Sequence, residues 1–310
     1  MALLCAPAAQ AQDTIRLVFP VDCTLGETCV IQQVMDRDPG PDAQDFRCGP
    51  QTYDGHQGTD FRLPDFEAME DGVAVLAAAP GTVLGTRTTV PDTGSDNFPE
   101  GQDCGNGLVL DHAGGWQTQY CHMAQGSVSV TTGERVEAGQ VLGRIGFSGN
   151  SQFPHLHLSV RHNGEHVDPF DPADANTCGL DAPSLWAEDL PLAPGGILSA
   201  GFSDAVPSYE AIQAGTADAE TLSAQGDAVV LWGFLHNGRE GDTVEMTITS
   251  PDGDTYHSQT ITLDRTQAQL FRASGRRIRD PLAPGDYIGN VTLIRDGQVL
   301  DMLEVAIPIR

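Results

Sequence analysis

The sequence contains no lysine. All 16 of its basic residues are arginine, against 43 aspartates and glutamates, which gives a formal net charge of -27. Binding to nucleic acid requires a cationic face, and so does attachment to anionic lipid headgroups. The shortage of positive charge therefore argues against both kinds of partner.

Long hydrophobic runs are also absent. No apolar stretch reaches the roughly 18–20 residues that a membrane-spanning helix needs. The hydrophobic content of 40%, with 11 Phe and 3 Trp, is nevertheless too high for an intrinsically disordered chain. The chain has 310 residues, enough for two domains of ordinary size with a sizeable core. These features predict an acidic globular protein without a membrane span.

The N-terminus reads MALLCAPAAQAQ and predicts a signal peptide over residues 1–11. Ala9-Gln10-Ala11 is the small-x-small pattern after which signal peptidase cleaves, and a short apolar stretch precedes it. The alternative is an alanine-rich disordered start, because the apolar stretch is short and no cationic residue precedes it. The favoured interpretation is an exported protein, periplasmic or secreted.

The cysteine count supports export. Seven cysteines are present, and cleavage after Ala11 removes Cys5 and leaves six. An even set in an exported protein is typical of disulfides. We predict three pairs. Cys23–Cys29 would close a short loop, Cys104–Cys121 would join the flanks of a predicted hairpin, and Cys48–Cys178 is the pair that remains. Paired CxxC motifs of a zinc ribbon do not occur.

The chain divides into four segments after the signal peptide: a disulfide-containing N-terminal arm (12–50), a β-rich domain (51–175), a Pro-, Ala- and Gly-rich linker (176–200) and a C-terminal domain (201–310). Short strands with frequent glycine, and no helical periodicity over three turns, predict antiparallel β-structure in the second segment. About seven short strands in the last segment predict a small immunoglobulin-like β-sandwich. The expected fold class is mainly β.

Seven of the nine histidines fall in the β-rich domain. His56 and Asp60 stand four residues apart, with a glycine between them that permits close backbone approach. His155 and His157 occupy alternate positions of a predicted strand, on one face and about 7 Å apart. His122 ends another strand of the same domain. Two imidazoles and one carboxylate suit zinc, with a fourth position left for water.

Each of these motifs alone is common by chance, so their combination matters. The other histidines have less specific surroundings. We expect surface or hairpin roles for His112, His162 and His166, and ordinary solvated positions for His236 and His257.

Three motifs occur in the order seen in lysostaphin-type (LytM-like) zinc metalloendopeptidases: GHQGTD from Gly55, YCHM from Tyr120 and PHLHL from Pro154. The connecting segments VEAGQVLG from Val136 and GFSGNS from Gly146 are also similar to that family. The resemblance covers residues 50–172 and identifies this segment as a LytM-like domain with the duplicated hybrid motif fold.

The resemblance implies that His56, Asp60 and His157 bind one zinc ion and that His122 and His155 are catalytic. It also implies a β-sheet with a groove over the metal, and hydrolysis of peptidoglycan peptide cross-links by metal-activated water. No HExxH glutamate is present, so one of the two non-ligand histidines must act as general base.

Two other functions compete with this one. Some members of the family have lost activity and act as regulators of cell-wall hydrolases, and a protease could instead cut secreted proteins. Here all five expected positions are filled, which favours an enzyme. The acidic composition favours a Gram-negative periplasm, and the C-terminal β-sandwich could bind a protein partner.

The sequence departs from the family pattern at three places. Cys121 replaces a small alanine before the histidine, Ser159 stands where an acidic residue frequently follows, and residues 150–154 lack the usual glycines. These departures leave the metal ligands in place and put the substrate subsites in doubt.

Overall fold

The computed structural model describes residues 14–96, 98 and 100–310, so the predicted signal peptide and Cys5 lie outside the described residues. Within them, the predicted mainly-β fold class is confirmed: the chain forms antiparallel sheets and two short α-helices. None of the described helices is long and apolar enough to cross a membrane.

The N-terminal half is built on one large sheet. Its elements are β1 Val30–Gln33, β2 Thr59–Arg62, α1 Phe66–Asp71, β3 Ala74–Leu76, β4 Gly81–Arg87, β5 Asn106–Asp111, β6 Trp116–Met123, β7 Arg135–Val136, β8 Val141–Arg144, β9 His155–His162 and β10 Glu165–His166. The large sheet has the order β1-β2-β9-β6-β5-β4-β7, with β10 beside β9, while β3 and β8 form a separate ribbon. Both contribute buried apolar side chains to one core.

Helix α1 shows how local sequence signals set element boundaries. The side chain of Asp65 accepts a hydrogen bond from the Ala68 N–H and caps the start of the helix. Gly72 ends it with φ of 92°, a left-handed conformation in which glycine avoids the steric penalty of a Cβ. The helix therefore has only six residues, in agreement with the absence of long helical periodicity.

The C-terminal half forms two further antiparallel sheets. Its elements are β11 Gly196–Ser203, α2 Tyr209–Ala214, β12 Ala228–Gly238, β13 Thr243–Thr249, β14 Thr255–Thr262, β15 Gln267–Arg277, β16 Gly285–Arg295 and β17 Gln298–Ile309. The sheet orders are β11-β12-β15 and β14-β13-β16-β17, and apolar residues of both share one core. The immunoglobulin-like type of this half stays a prediction.

All three predicted cysteine pairs are confirmed as disulfides: Cys23–Cys29, Cys48–Cys178 and Cys104–Cys121. The second joins the N-terminal arm to the segment that follows β10. The third links the residue before His122 to the loop that precedes β5. Both bridges thus constrain backbone near the central domain.

Polar and aromatic contacts join the two halves. The Asn237 side chain of β12 donates a 2.7 Å hydrogen bond to the Gln32 carbonyl of β1. The Arg62 guanidinium carbon of β2 lies 4.4 Å from the Phe153 ring centroid and 5.1 Å from that of Phe234. A buried cation between two aromatic faces is stabilised by their quadrupoles. The C-terminal half therefore packs against the strand that carries Asp60.

A buried arginine ties the N-terminal arm to the segment after β10. Arg37 is fully buried, and its Nε donates to Asp168 Oδ2 at 3.3 Å. The same guanidinium donates to the carbonyl oxygens of Asp171, Asp174 and Thr177. Burial raises the pKa of Asp168 to about 6, so this carboxylate depends strongly on its partner.

Replacing Arg37 with Ala should lower the free energy of unfolding by about 3–5 kcal/mol, because the change leaves a buried carboxylate unpaired. Chemical denaturation of the oxidised protein measures this. Arg135→Ala, at an exposed position of β7, is the matched control and should stay within about 0.5 kcal/mol of wild type. Equal stability of the two variants would contradict the proposed contribution of Arg37.

Candidate metal centre and active site

Three adjacent strands carry most of the candidate site. β2 and β9 pair antiparallel with Asp60 opposite His157 and Arg62 opposite His155. On the other side of β9, β6 places Cys121 opposite His157. Because alternate residues of a strand share a face, His155 and His157 project to the same side of the sheet. The register thus brings together residues far apart in sequence.

The three predicted ligands lie within contact of one another. His56 Nε2 is 3.1 Å from Asp60 Oδ1 and 3.2 Å from His157 Nδ1, and His157 Nδ1 is 2.8 Å from Asp60 Oδ1. Each offers one donor atom, and these atoms lie within 4.8 Å of one another. These three side chains can therefore hold a metal ion, and we refer to His56, Asp60 and His157 below as the metal group.

Hydrogen bonds fix which ring nitrogen faces this group. His56 donates from Nδ1 to the Val34 carbonyl at 2.7 Å, which leaves the lone pair on Nε2. Ser159 Oγ donates to the Gln57 carbonyl at 2.8 Å and accepts from His157 Nε2 at 3.0 Å. The lone pair of His157 is therefore on Nδ1. Both lone pairs point toward the carboxylate, as metal ligation requires.

Gly58 confirms the close approach expected from the His-Gln-Gly-Thr-Asp motif. A Cβ at this position would lie 2.5 Å from Nε2 of His157. Any larger residue would push the imidazole away from Asp60. Glycine is thus required by the packing of the His157 ring.

A β-bulge aims His122 at the site. The pairing of β5 with β6 shifts register between Asn106 and Leu108, and His122 adopts a left-handed φ of 61°. Its N–H donates to the Cys104 carbonyl at 2.8 Å, next to the disulfide that joins Cys104 to Cys121. Bulges re-aim side chains and are common next to active sites.

His122 and His155 lie side by side above the metal group. Their ring centroids are 4.6 Å apart, and His155 Nε2 is 3.6 Å from Asp60 Oδ1. His122 donates from Nδ1 to the Ser148 carbonyl, and His155 donates from Nδ1 to the Phe153 carbonyl, both at 2.8 Å. Each neutral ring therefore keeps its lone pair on Nε2.

Burial sets the protonation of these groups. It lowers the pKa of His155, and together with the nearby His155 and His157 rings it holds the pKa of His122 well below the usual value. Burial opposes ionisation of Asp60, but the charges and hydrogen bonds of the surrounding histidines outweigh it and lower the pKa of that carboxyl. For His56 the effect of burial is outweighed by the charge of Asp60, and its pKa is raised. The site thus combines an ionised Asp60 carboxylate with neutral rings at His122 and His155.

The site opens into a groove of about 330 Å³, lined by three of the five predicted site residues, His56, His122 and His157. Further lining residues were not singled out by the sequence: Tyr53, Gln119, Asn150 and Arg161. His166, expected in a surface or hairpin role, lies on β10 in the hairpin with β9 and also lines the groove. Side chains alternate between the two faces of a strand, so the sequence could have placed Arg161, four residues after His157, on the same face as His157.

One expectation about the histidines is wrong. His236 was expected to be solvated, but it is 1% exposed. It lies on β12, the central strand of its sheet, on the same face as Trp232 and Phe234. That face packs against helix α2 and the N-terminal half, so both faces of the strand are covered.

Residues 54–169 match the model of Peptidase family M23. This part of the chain is therefore an M23 peptidase domain of the LytM type, and the family resemblance deduced from the motifs is confirmed. The matched range contains all five predicted site residues.

Curated relatives match the same region. Peptidoglycan DD-endopeptidase ShyC of Vibrio cholerae is 33% identical over 114 residues, 37% of this chain and 22% of the relative. DD-carboxypeptidase/endopeptidase Mpg of Neisseria meningitidis is 40% identical over 65 residues, 21% of this chain and 14% of the relative. Cell division protein DipM of Caulobacter vibrioides is 29% identical over 119 residues, 38% and 16% of the two chains.

The matches thus span less than a quarter of the length of these relatives. Among solved structures, the catalytic domain of lysostaphin from Staphylococcus simulans is 26% identical. That similarity covers 42% of this chain and 84% of the lysostaphin chain, with a TM-score of 0.28.

Proposed function

We propose that this protein is an exported zinc metalloendopeptidase that hydrolyses peptide cross-links of bacterial peptidoglycan. The observation that carries the proposal is the buried group of His56, Asp60 and His157, with His122 and His155 beside it. The M23 domain and the relatives named as peptidoglycan DD-endopeptidases support the reaction and the substrate class.

The donor set fits zinc. Two imidazole nitrogens and one carboxylate oxygen are ligand types that catalytic zinc sites use, with a further position left open. Hydrogen bonds to Val34 and Ser159 hold the two ligand imidazoles in the tautomers that ligation needs. When bound, zinc supplies a Lewis acid that polarises a carbonyl and lowers the pKa of water.

His122 and His155 supply proton transfer in this proposal. Each presents Nε2 to the site, because its Nδ1–H is held by a backbone carbonyl. Burial favours the neutral rings, so that one of them can accept the proton of the attacking water and deliver it to the leaving amine. While protonated, that ring also donates a hydrogen bond to the developing oxyanion.

Export is supported by the three disulfides, which persist in oxidising compartments, and by the small-x-small pattern that ends at Ala11. The net charge of -27 gives little attraction to anionic wall polymers. We therefore place the enzyme in a Gram-negative periplasm, where cross-links join D-alanine to diaminopimelate.

The test uses the oxidised chain from residue 12 onward, purified with its C-terminal half, and isolated peptidoglycan. We expect about one zinc ion per chain and conversion of cross-linked muropeptide dimers to monomers, as resolved by chromatography and mass spectrometry. A chelator should stop the reaction and added zinc should restore it, because in this proposal the reaction requires the zinc ion bound by His56, Asp60 and His157.

Two outcomes would contradict the proposal in different ways. A zinc-loaded protein that leaves muropeptides intact but cuts an exported protein would have a different substrate. A protein that cuts neither, yet stimulates another cell-wall hydrolase in the same assay, would be a regulator.

A further inference from the structure

Among the described residues that line the groove beside the metal group, Arg161 is the only Lys or Arg. In a chain with only 16 such residues and a net charge of -27, a cation at this position is a distinct electrostatic feature. A guanidinium in a groove that is otherwise rich in neutral polar groups favours a ligand with a negative charge.

Arg161 is held in place by its neighbours. Its Nη2 donates to Gln119 Oε1 at 2.6 Å, and its Nε donates to His166 Nε2 at 3.3 Å. Both acceptors are neutral: Gln119 is an amide, and burial together with the charge of Arg161 lowers the pKa of His166. These contacts orient the guanidinium without neutralising its charge.

Two other arginines of the described chain form ion pairs with aspartates, and Arg161 does not. Arg37 forms an ion pair with Asp168, and Arg295 forms one with Asp242 at 2.7 Å. Among the described residues, no carboxylate oxygen lies within 4.0 Å of the nitrogen atoms of Arg161. The half-buried positive charge of Arg161 is therefore not paired with a carboxylate of the described part of the chain.

The position of Arg161 relates it to the bond that is cut. It lies four residues after His157 on β9, on the same face of the strand, which corresponds to about 13 Å along the sheet. An extended peptide advances about 3.4 Å per residue. A substrate lying along β9 with its scissile bond at the metal group would thus reach Arg161 within about four residues.

We propose that Arg161 binds a carboxylate of the substrate peptide and makes this groove selective for acidic peptides. The proposal rests on the hydrolytic function given above. The planar guanidinium matches a carboxylate in geometry, since it donates two parallel hydrogen bonds.

The test uses two forms of one cross-linked peptide from peptidoglycan. In the first form the carboxylates are free, and in the second they are converted to carboxamides. Binding to the zinc-loaded protein is measured by calorimetry, and turnover by chromatography. We expect wild type to prefer the free acid by about 10–100-fold in affinity and in kcat/KM, the range of a charge-assisted hydrogen bond.

Arg161→Gln should lose that preference while its zinc content stays at the wild-type value. Arg161→Lys should keep part of the preference, because it retains the charge but not the planar fork. Arg135→Gln, an exposed arginine on β7, is the matched control and should behave as wild type.

Two results would overturn the inference: a wild-type protein with equal affinity for both peptides, or an Arg161→Gln variant that weakens both equally. Failure of the proposed function has a different signature. In that case wild type binds the free acid more tightly through Arg161 but cuts neither peptide, and calorimetry alone then supports the carboxylate site.

Discussion

Replacing His157 with Ala is expected to remove both bound zinc and hydrolytic activity. His157 is one of three candidate protein ligands, and its Nδ1 lies 2.8 Å from Asp60 Oδ1 and 3.2 Å from His56 Nε2. Loss of a partner that merely orients a ligand costs about 10–100-fold in metal affinity or activity, and loss of the ligand should cost more. Elemental analysis and muropeptide release measure the two effects.

Two other residues of the strand that carries His157 provide a control and a milder variant. His162→Ala removes a histidine of β9 that stacks on Trp116, away from the metal group, and should leave zinc content unchanged. Ser159→Ala removes the hydrogen bond to His157 Nε2 and should weaken zinc binding by about 10–100-fold. Full zinc occupancy in His157→Ala would exclude that residue as a ligand.

Much of the central site could be predicted because its signals are local. Alternation along a strand predicts that His155 and His157 share a face, and β9 confirms this arrangement. The glycine between His56 and Asp60 predicts a close approach, which the position of the His157 ring explains. The disulfide that joins Cys104 to Cys121 follows from a hairpin, which is also a local element.

Other features depend on contacts between distant segments, for which a single sequence gives no signal. Arg62 follows Asp60 on β2, yet its guanidinium lies between Phe153, in the loop that precedes β9, and Phe234 of the C-terminal half. The burial of His236 has the same origin, because the packing of the two halves covers a strand face that would otherwise be exposed. Tertiary packing, rather than local propensity, decides both.

The contact through Arg62 also bears on the C-terminal half. Arg62 pairs in register with His155, and Phe153 provides the carbonyl that orients the His155 ring. Phe234 of the C-terminal half therefore contacts the same Arg62 guanidinium as Phe153, whose carbonyl orients a candidate catalytic imidazole. The C-terminal half thus packs against residues that support the candidate site.

His122→Ala and His155→Ala should retain zinc and fold normally but lose at least about 10²-fold in turnover of peptidoglycan peptides. Neither ring belongs to the group of His56, Asp60 and His157, so zinc content should remain at wild-type values. Both rings present Nε2 to the site and lie 4.6 Å apart, which allows both to act on one scissile bond. Single-turnover kinetics on a cross-linked muropeptide separates the chemical step from binding.

The double variant distinguishes two ways in which the histidines can act. If the two rings act as one unit in proton transfer, His122→Ala combined with His155→Ala should cost little more than either change alone. Independent contributions would instead multiply. His162→Ala again serves as the control, since it removes a histidine of the same domain from outside the groove and should keep full activity. Wild-type turnover in zinc-loaded His122→Ala would exclude His122 from the reaction, and with it the functional reason for its left-handed φ of 61°.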